Sequence, residues 1–195
     1  MLPFAPPPFV QSLPASPKTL DALAEALEGA PEALTDRRPA RAQAEAAKAV
    51  ALWDRNRGAV LAALTTADRE PFTKAMEILR SARGDEAGLC ALTAMERLEH
   101  RLPEGRPRWL AAADRLGMQT WILLGEGKTE LPDLVAAFKP LVDQDGGGHP
   151  SAVAKTHAEL ARYQAALARR GLPAAQKAVG VLLDLVDAFE KPAGR

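Results

Sequence analysis

The stretch Leu131–Val142, LPDLVAAFKPLV, decides the fold. Its apolar side chains fall at Leu131, Leu134, Val135, Phe138, Leu141 and Val142. These steps of three and four put them on one side of an α-helix, whereas a half-buried strand would alternate at every second residue. Val179, Leu182, Leu183, Val186 and Phe189 form a second stripe of this kind, and Phe72, Ala75, Met76 and Leu79 a third. The predicted class is all-α: a single-domain, irregular antiparallel bundle of about eight helices behind an extended proline-rich N-terminal arm.

Proline, glycine and capping residues divide the chain. Residues 1–16 read as the arm, because Ala5-Pro6-Pro7-Pro8-Phe9-Val10 favours polyproline II. Residues 17–192 read as the helical domain. Ser16-Pro17 is an N-cap followed by proline at the first helical position, and Gly29 is read as the stop of that helix. A long segment from Pro39 to Leu64 is one bent helix or two, with Asn56-Arg57-Gly58 crossing its stripe. Asp68 is expected to cap the next helix, and Asp85 the one after it. Pro107 opens a fifth segment that is apolar nearly all round in its second half, which marks it as the central buried helix. Thr129 precedes the Leu131–Val142 helix, which should kink at Pro140. The last two helices run from about Pro150 to Gly171 and from Pro173 to about Glu190. No internal repeat is evident.

Bulk composition narrows the function classes. The 195 residues carry 25 basic and 25 acidic side chains, so no net charge draws the chain toward nucleic acid or an anionic membrane. Aromatic residues make up 5%, leaving little material for base-stacking platforms. The longest apolar run in the body, Leu116 to Gly125, is about half of a bilayer span. Six prolines in the first seventeen residues argue against a secretory signal. The single cysteine, Cys90, excludes an internal disulfide and reads as a small buried hydrophobe in a reducing compartment. A cytoplasmic location is the expectation.

Four patterns invite chemistry. Gly125-Glu126-Gly127-Lys128-Thr129 resembles the end of a phosphate-binding Walker A loop, yet Ile122 stands where its first glycine belongs and no parallel sheet supports it. A glycine-rich turn between helices accounts for it better. Asp143-Gln144-Asp145-Gly146 opens like a calcium loop, but its twelfth position is Ala154 instead of glutamate. Glu96 and His100 lie one helical turn apart and, joined by His157, are the candidate metal ligands of a helical-bundle metalloenzyme. Arg37, Arg38 and Arg41, with Arg55 and Arg57 further along, form one basic cluster. Arg97, His100, Arg101, Arg106 and Arg108, next to Trp109, form another, interleaved with Glu96, Glu99 and Glu104. No Gly-x-Ser-x-Gly turn occurs, and no general acid or base can be assigned.

The reading that follows is a non-catalytic helical interaction or scaffold protein that self-associates, with no cofactor and no membrane partner. Its arm would dock on a partner or second protomer through Phe4, Phe9, Val10 and Leu13. Packing on its own body and a solvated terminus are the alternatives for the arm. The runner-up function is a nucleic-acid-associated accessory protein using Arg37, Arg38, Arg41, Arg101, Arg106 and Arg108. The metalloenzyme around Glu96, His100 and His157 comes third.

Overall fold

The computed structural model describes residues 15–98, 108–143 and 148–190, the side chains of Arg108 and Glu190 excepted. Regular structure among the described residues is entirely helical, as the periodicity predicts. The elements are α1 (Pro17–Thr35), α2 (Pro39–Ala63), α3 (Thr66–Leu79), α4 (Gly84–Leu98), α5 (Arg108–Gly125), α6 (Leu134–Asp143), α7 (Pro150–Ala168) and α8 (Leu172–Glu190). No helix among them is long and apolar enough to cross a membrane.

Several helix ends differ from the sequence reading, each for a local reason. Ser16 does cap α1, its hydroxyl accepting from the Thr19 amide at 3.2 Å. The helix does not stop at Gly29, however. It continues through Pro31 to Thr35, and Gly29 is buried against α2, where an added Cβ would lie 3.1 Å from Glu45 Cγ. Glycine serves close approach there, not termination. Residues 39–63 form one helix despite Asn56-Arg57-Gly58. The cap of α3 is Thr65, not Asp68. The Thr65 hydroxyl accepts from the Asp68 amide at 3.2 Å and donates back to the Asp68 carboxylate. Asp133 caps α6, accepting from the Ala136 amide at 3.0 Å, so Leu131 precedes that helix and Pro140 lies inside it.

Three helices close in the same way. At the end of α1 the Arg38 amide donates to the Ala33 carbonyl and the Arg37 amide to the Leu34 carbonyl. The Lys128 and Gly127 amides do the same to Leu123 and Leu124 of α5, and the Gly171 and Arg170 amides to Ala166 and Leu167 of α7. This is the Schellman arrangement, which needs one left-handed residue. Gly127 fills the position in α5 at φ 76, but Arg37 and Arg170 fill it in α1 and α7 at φ 59 and 55. The left-handed residue at the end of α7 is therefore Arg170, and Gly171, the expected stop, follows it.

The buried side chains fall into two large clusters and a smaller one between them. The first is built by α1–α4 around Trp53 and Phe72, whose rings meet edge to face at 5.2 Å. The second is built by α5–α8 around Phe138, Leu141, Tyr163 and Val186. The third joins them, with Ala33 and Leu34 of α1, Ala42 of α2, Leu92 of α4 and Met118 and Ile122 of α5. Helix α5 is central, as its composition predicts: from Trp109 to Leu124 none of its residues is exposed.

The two groups of four share a packing order. Helix α1 packs on α2 and α4, and α3 on α4; α5 packs on α6 and α8, and α7 on α8. Even the buried positions correspond. Leu20, Leu23, Leu27, Ala30 and Leu34 in α1 have the spacing of Leu110, Ala113, Gly117, Thr120 and Leu124 in α5. Only burial recurs at these positions, since Leu27 matches Gly117 and Ala30 matches Thr120, and for that reason no repeat shows in the sequence.

A left-handed conformation strains any residue with a Cβ by about 1–2 kcal/mol, part of which glycine loses again through the entropy of its unfolded chain. Arg37→Gly and Arg170→Gly should each raise stability by about 0.5–1 kcal/mol, or a few degrees in Tm for a chain of this size. Thermal unfolding followed by circular dichroism checks this, with the corresponding alanine variants showing no gain.

Candidate functional site

Two concave surfaces flank α8. The first is an acidic cleft of about 430 Å³ between α1, α5 and α8. Glu28, Glu32 and Asp36 enter it from α1 at intervals of four residues, which lines them up on one face of the helix. Asp114 reaches it from α5, and Asp184 and Asp187 from α8, with Met118 and Leu183 below. Arg38 lies 3.9 Å from Asp36, both groups being exposed. Glu28, Glu32 and Asp114 are held by further interactions.

The second surface is a groove of about 450 Å³ between α7 and α8. Small residues, Ala165, Ala166, Ala174 and Ala178, form its floor with Val181, while Arg162, Arg169 and Lys177 form a basic rim. Glu159, largely buried, accepts a charge-assisted hydrogen bond from Arg162. The strip of α8 between groove and cleft faces outward.

The residues singled out in the sequence are placed as follows. Phe4, Phe9, Val10 and Leu13 lie outside the described residues, but the base of the arm does not. The Ala15 amide donates to the Ala59 carbonyl at 2.8 Å, tying the chain to the C-terminal third of α2. Arg37, Arg38 and Arg41 come together, all exposed, at the α1–α2 turn. Arg55 and Arg57 do not join them, because fourteen residues of helix from Arg41 to Arg55 span about 21 Å. Arg57 instead sits over the Trp53 ring at 5.5 Å and 3.7 Å from Glu77. Arg101, Arg106 and the Arg108 side chain lie outside the described residues.

Glu96 is 3.7 Å from Arg115 and 4.0 Å from Arg97, and Arg97 is also 3.7 Å from Asp68. Any metal at Glu96 would compete with these guanidinium groups. His100 lies outside the described residues. His157, read from its neighbours as a core-edge histidine, is exposed on α7. Among the described residues no three or more His, Cys, Asp or Glu side chains are grouped to hold a metal ion.

The glycine-rich motif after α5 is the helix cap described above. The Gly127 and Lys128 amides are taken by the carbonyls of Leu124 and Leu123. A phosphate-binding loop would point such amides at its anion. Asp143 ends α6 and pairs with Lys139, and the residues that follow it in the calcium-like stretch lie outside the described ones.

The sequence reading missed the acidic cleft. The signal was present in the four-residue spacing of Glu28, Glu32 and Asp36, but ending the helix at Gly29 removed the frame that aligns them. Comparison with protein-family models, with curated proteins and with solved structures finds no match for this chain.

Cys90 is half-buried against the first core and not fully enclosed. Burial pushes its thiol pKa up, and the negative charge of Glu86 pushes it the same way. Since the thiolate is the nucleophile, higher pH is needed to generate it. Iodoacetamide labelling of the native protein should be slower than that of the urea-unfolded chain at pH 8, and its half-maximal rate should lie above the free-thiol range. Equal rates in the two states would contradict this.

Proposed function

We propose that the chain is a non-catalytic helical interaction module that self-associates. The observation that carries this reading is the charge layout around α8, where an acidic cleft and a basic-rimmed groove flank one outward helix face. A protein without net charge that segregates its charges in this way presents attractive surfaces of both signs to a second copy. The arm gives a further point of attachment, since its base is fixed to α2 through Ala15 and its apolar side chains precede that anchor. The nucleic-acid reading is weaker. Arg37, Arg38 and Arg41 do converge, but Asp36, Glu32 and Glu28 continue from the same turn along α1 and oppose a phosphate backbone.

Sedimentation velocity of the full chain over a wide concentration range tests the proposal. The weight-average mass should rise from one chain toward two. Removing residues 1–14, which keeps the Ala15 anchor, should weaken the association. A single monomeric species at every concentration would contradict the reading.

A further inference from the structure

Helix α7 leaves one side uncovered along its whole length. Ser151, Ala154, Ala158, Ala161, Ala165 and Ala168 are all exposed, at alternating steps of three and four. That spacing is the seam of a coiled coil, the line along which one helix lies on another, and here every position on it is small. Lys155, Arg162 and Arg169 are exposed too and recur every seven residues, so they form one row about 21 Å long beside the seam. Arg162 and Arg169 border the groove between α7 and α8, and Lys177 stands on its α8 wall.

Helix α2 has a similar outer side, with Ala40, Ala44, Ala47 and Ala51 exposed beside Arg41, Lys48 and Arg55. There the chain itself engages much of the pattern. Asp54 takes the next seam position and pairs with Arg80, Lys48 lies 3.4 Å from Glu45, and the Arg55 side chain donates to the Ala51 carbonyl. In the α7 row, Arg162 is engaged by Glu159. Lys155, Arg169 and Lys177 make no ion pair with a described residue.

The α7 face therefore calls for a helix of one chemistry. Alanine at the seam admits a second helix at the short end of the usual spacing of about 8–10 Å. The basic row is matched by acidic side chains at the same seven-residue interval on the incoming helix. The same face of a second copy does not supply them. Antiparallel pairing of two α7 helices sets basic row against basic row, and parallel pairing sets it against His157 and Gln164. Glu28, Glu32 and Asp36 recur at four residues instead of seven and lie in a cleft.

We infer that α7 and the α7–α8 groove dock an acidic amphipathic helix of a different protein, its small side on the alanine seam and its carboxylates along Lys155, Arg162, Arg169 and Lys177. This goes beyond the self-association proposed above: the arm and the acidic cleft are left to the second copy, and the groove is given to another partner.

Two fluorescein-labelled helical peptides of about 20 residues test the docking on the full chain. Both carry an alanine seam, flanked by glutamates in one and by lysines in the other. Fluorescence anisotropy should show the glutamate peptide binding, more weakly as salt rises, and the lysine peptide not binding. Lys155→Glu combined with Arg169→Glu should raise the dissociation constant of the glutamate peptide about tenfold or more. Ala158→Gln combined with Ala165→Gln, which adds bulk without charge, should weaken it as well. Lys74→Glu in α3, also exposed and with the same change of charge, should leave it unaffected. Circular dichroism of each variant establishes that the fold is kept. Equal binding of the two peptides, binding of neither, or a dissociation constant untouched by either double variant would overturn the inference. So would a charge reversal that weakens self-association in sedimentation while sparing the peptide, since it would assign the groove to a second copy.

Discussion

The close approach of α1, α4 and α5 is the constraint on which the arrangement depends. Gly88 of α4 lies where the three helices meet, and a Cβ there would come within 2.6 Å of Leu34 Cδ1 and 3.0 Å of Ile122 Cδ1. Gly117 of α5 plays the corresponding part against α8, where a Cβ would meet Leu183 Cδ2 at 2.7 Å. The missing side chains let Leu34, Leu92, Met118 and Ile122 close into a small core between two larger ones. Without that contact, α1–α4 and α5–α8 would each keep its own packing order but lose the wedge that orients them. The acidic cleft depends on the same geometry, because its carboxylates come from α1 on one side of the joint and from α5 and α8 on the other.

The charged surfaces follow from this frame. With α5 enclosed and α8 packed on it, the side of α8 that the other described residues leave to solvent is the one carrying Lys177 and Asp184. The interior is alanine-rich, which keeps helices near one another and leaves shallow grooves between them. Such grooves offer extended contact, which is what the proposed protein-binding reading calls for. Several reactive-looking groups among the described residues are engaged within the chain itself. Glu96 lies among guanidinium groups, the Gly127 and Lys128 amides cap α5, and the Cys90 thiol is held in its neutral form.

Much of the fold was legible because amphipathic stripes report which side of a helix is buried. The set Phe72, Ala75, Met76 and Leu79 is buried as its spacing predicts, and so are Val179, Leu182 and Val186. Boundaries were harder, because glycine has two roles that local sequence does not separate. Gly127 ends a helix by adopting a left-handed conformation, whereas Gly29 and Gly88 sit inside helices to admit a neighbour. Arg37 and Arg170 show the converse, taking left-handed positions that sequence preference assigns to glycine. The candidate site was less legible for the same reason. Glu28, Glu32 and Asp36 share a face by spacing, but reading Gly29 as a stop hides that face, and that it meets α5 and α8 depends on how the helices pack.

Equilibrium urea unfolding of Gly88→Leu, beside Ala51→Leu as a control at an exposed position of α2, tests the joint most directly. Tryptophan fluorescence reads both halves, through Trp53 in the first group and Trp109 and Trp121 in the second. A leucine at position 88 overpacks the meeting point of three helices and should cost about 1–3 kcal/mol, with Ala51→Leu close to neutral. Unchanged stability of the Gly88 variant would contradict the account, since it would mean that α1, α4 and α5 do not close on one another at that point.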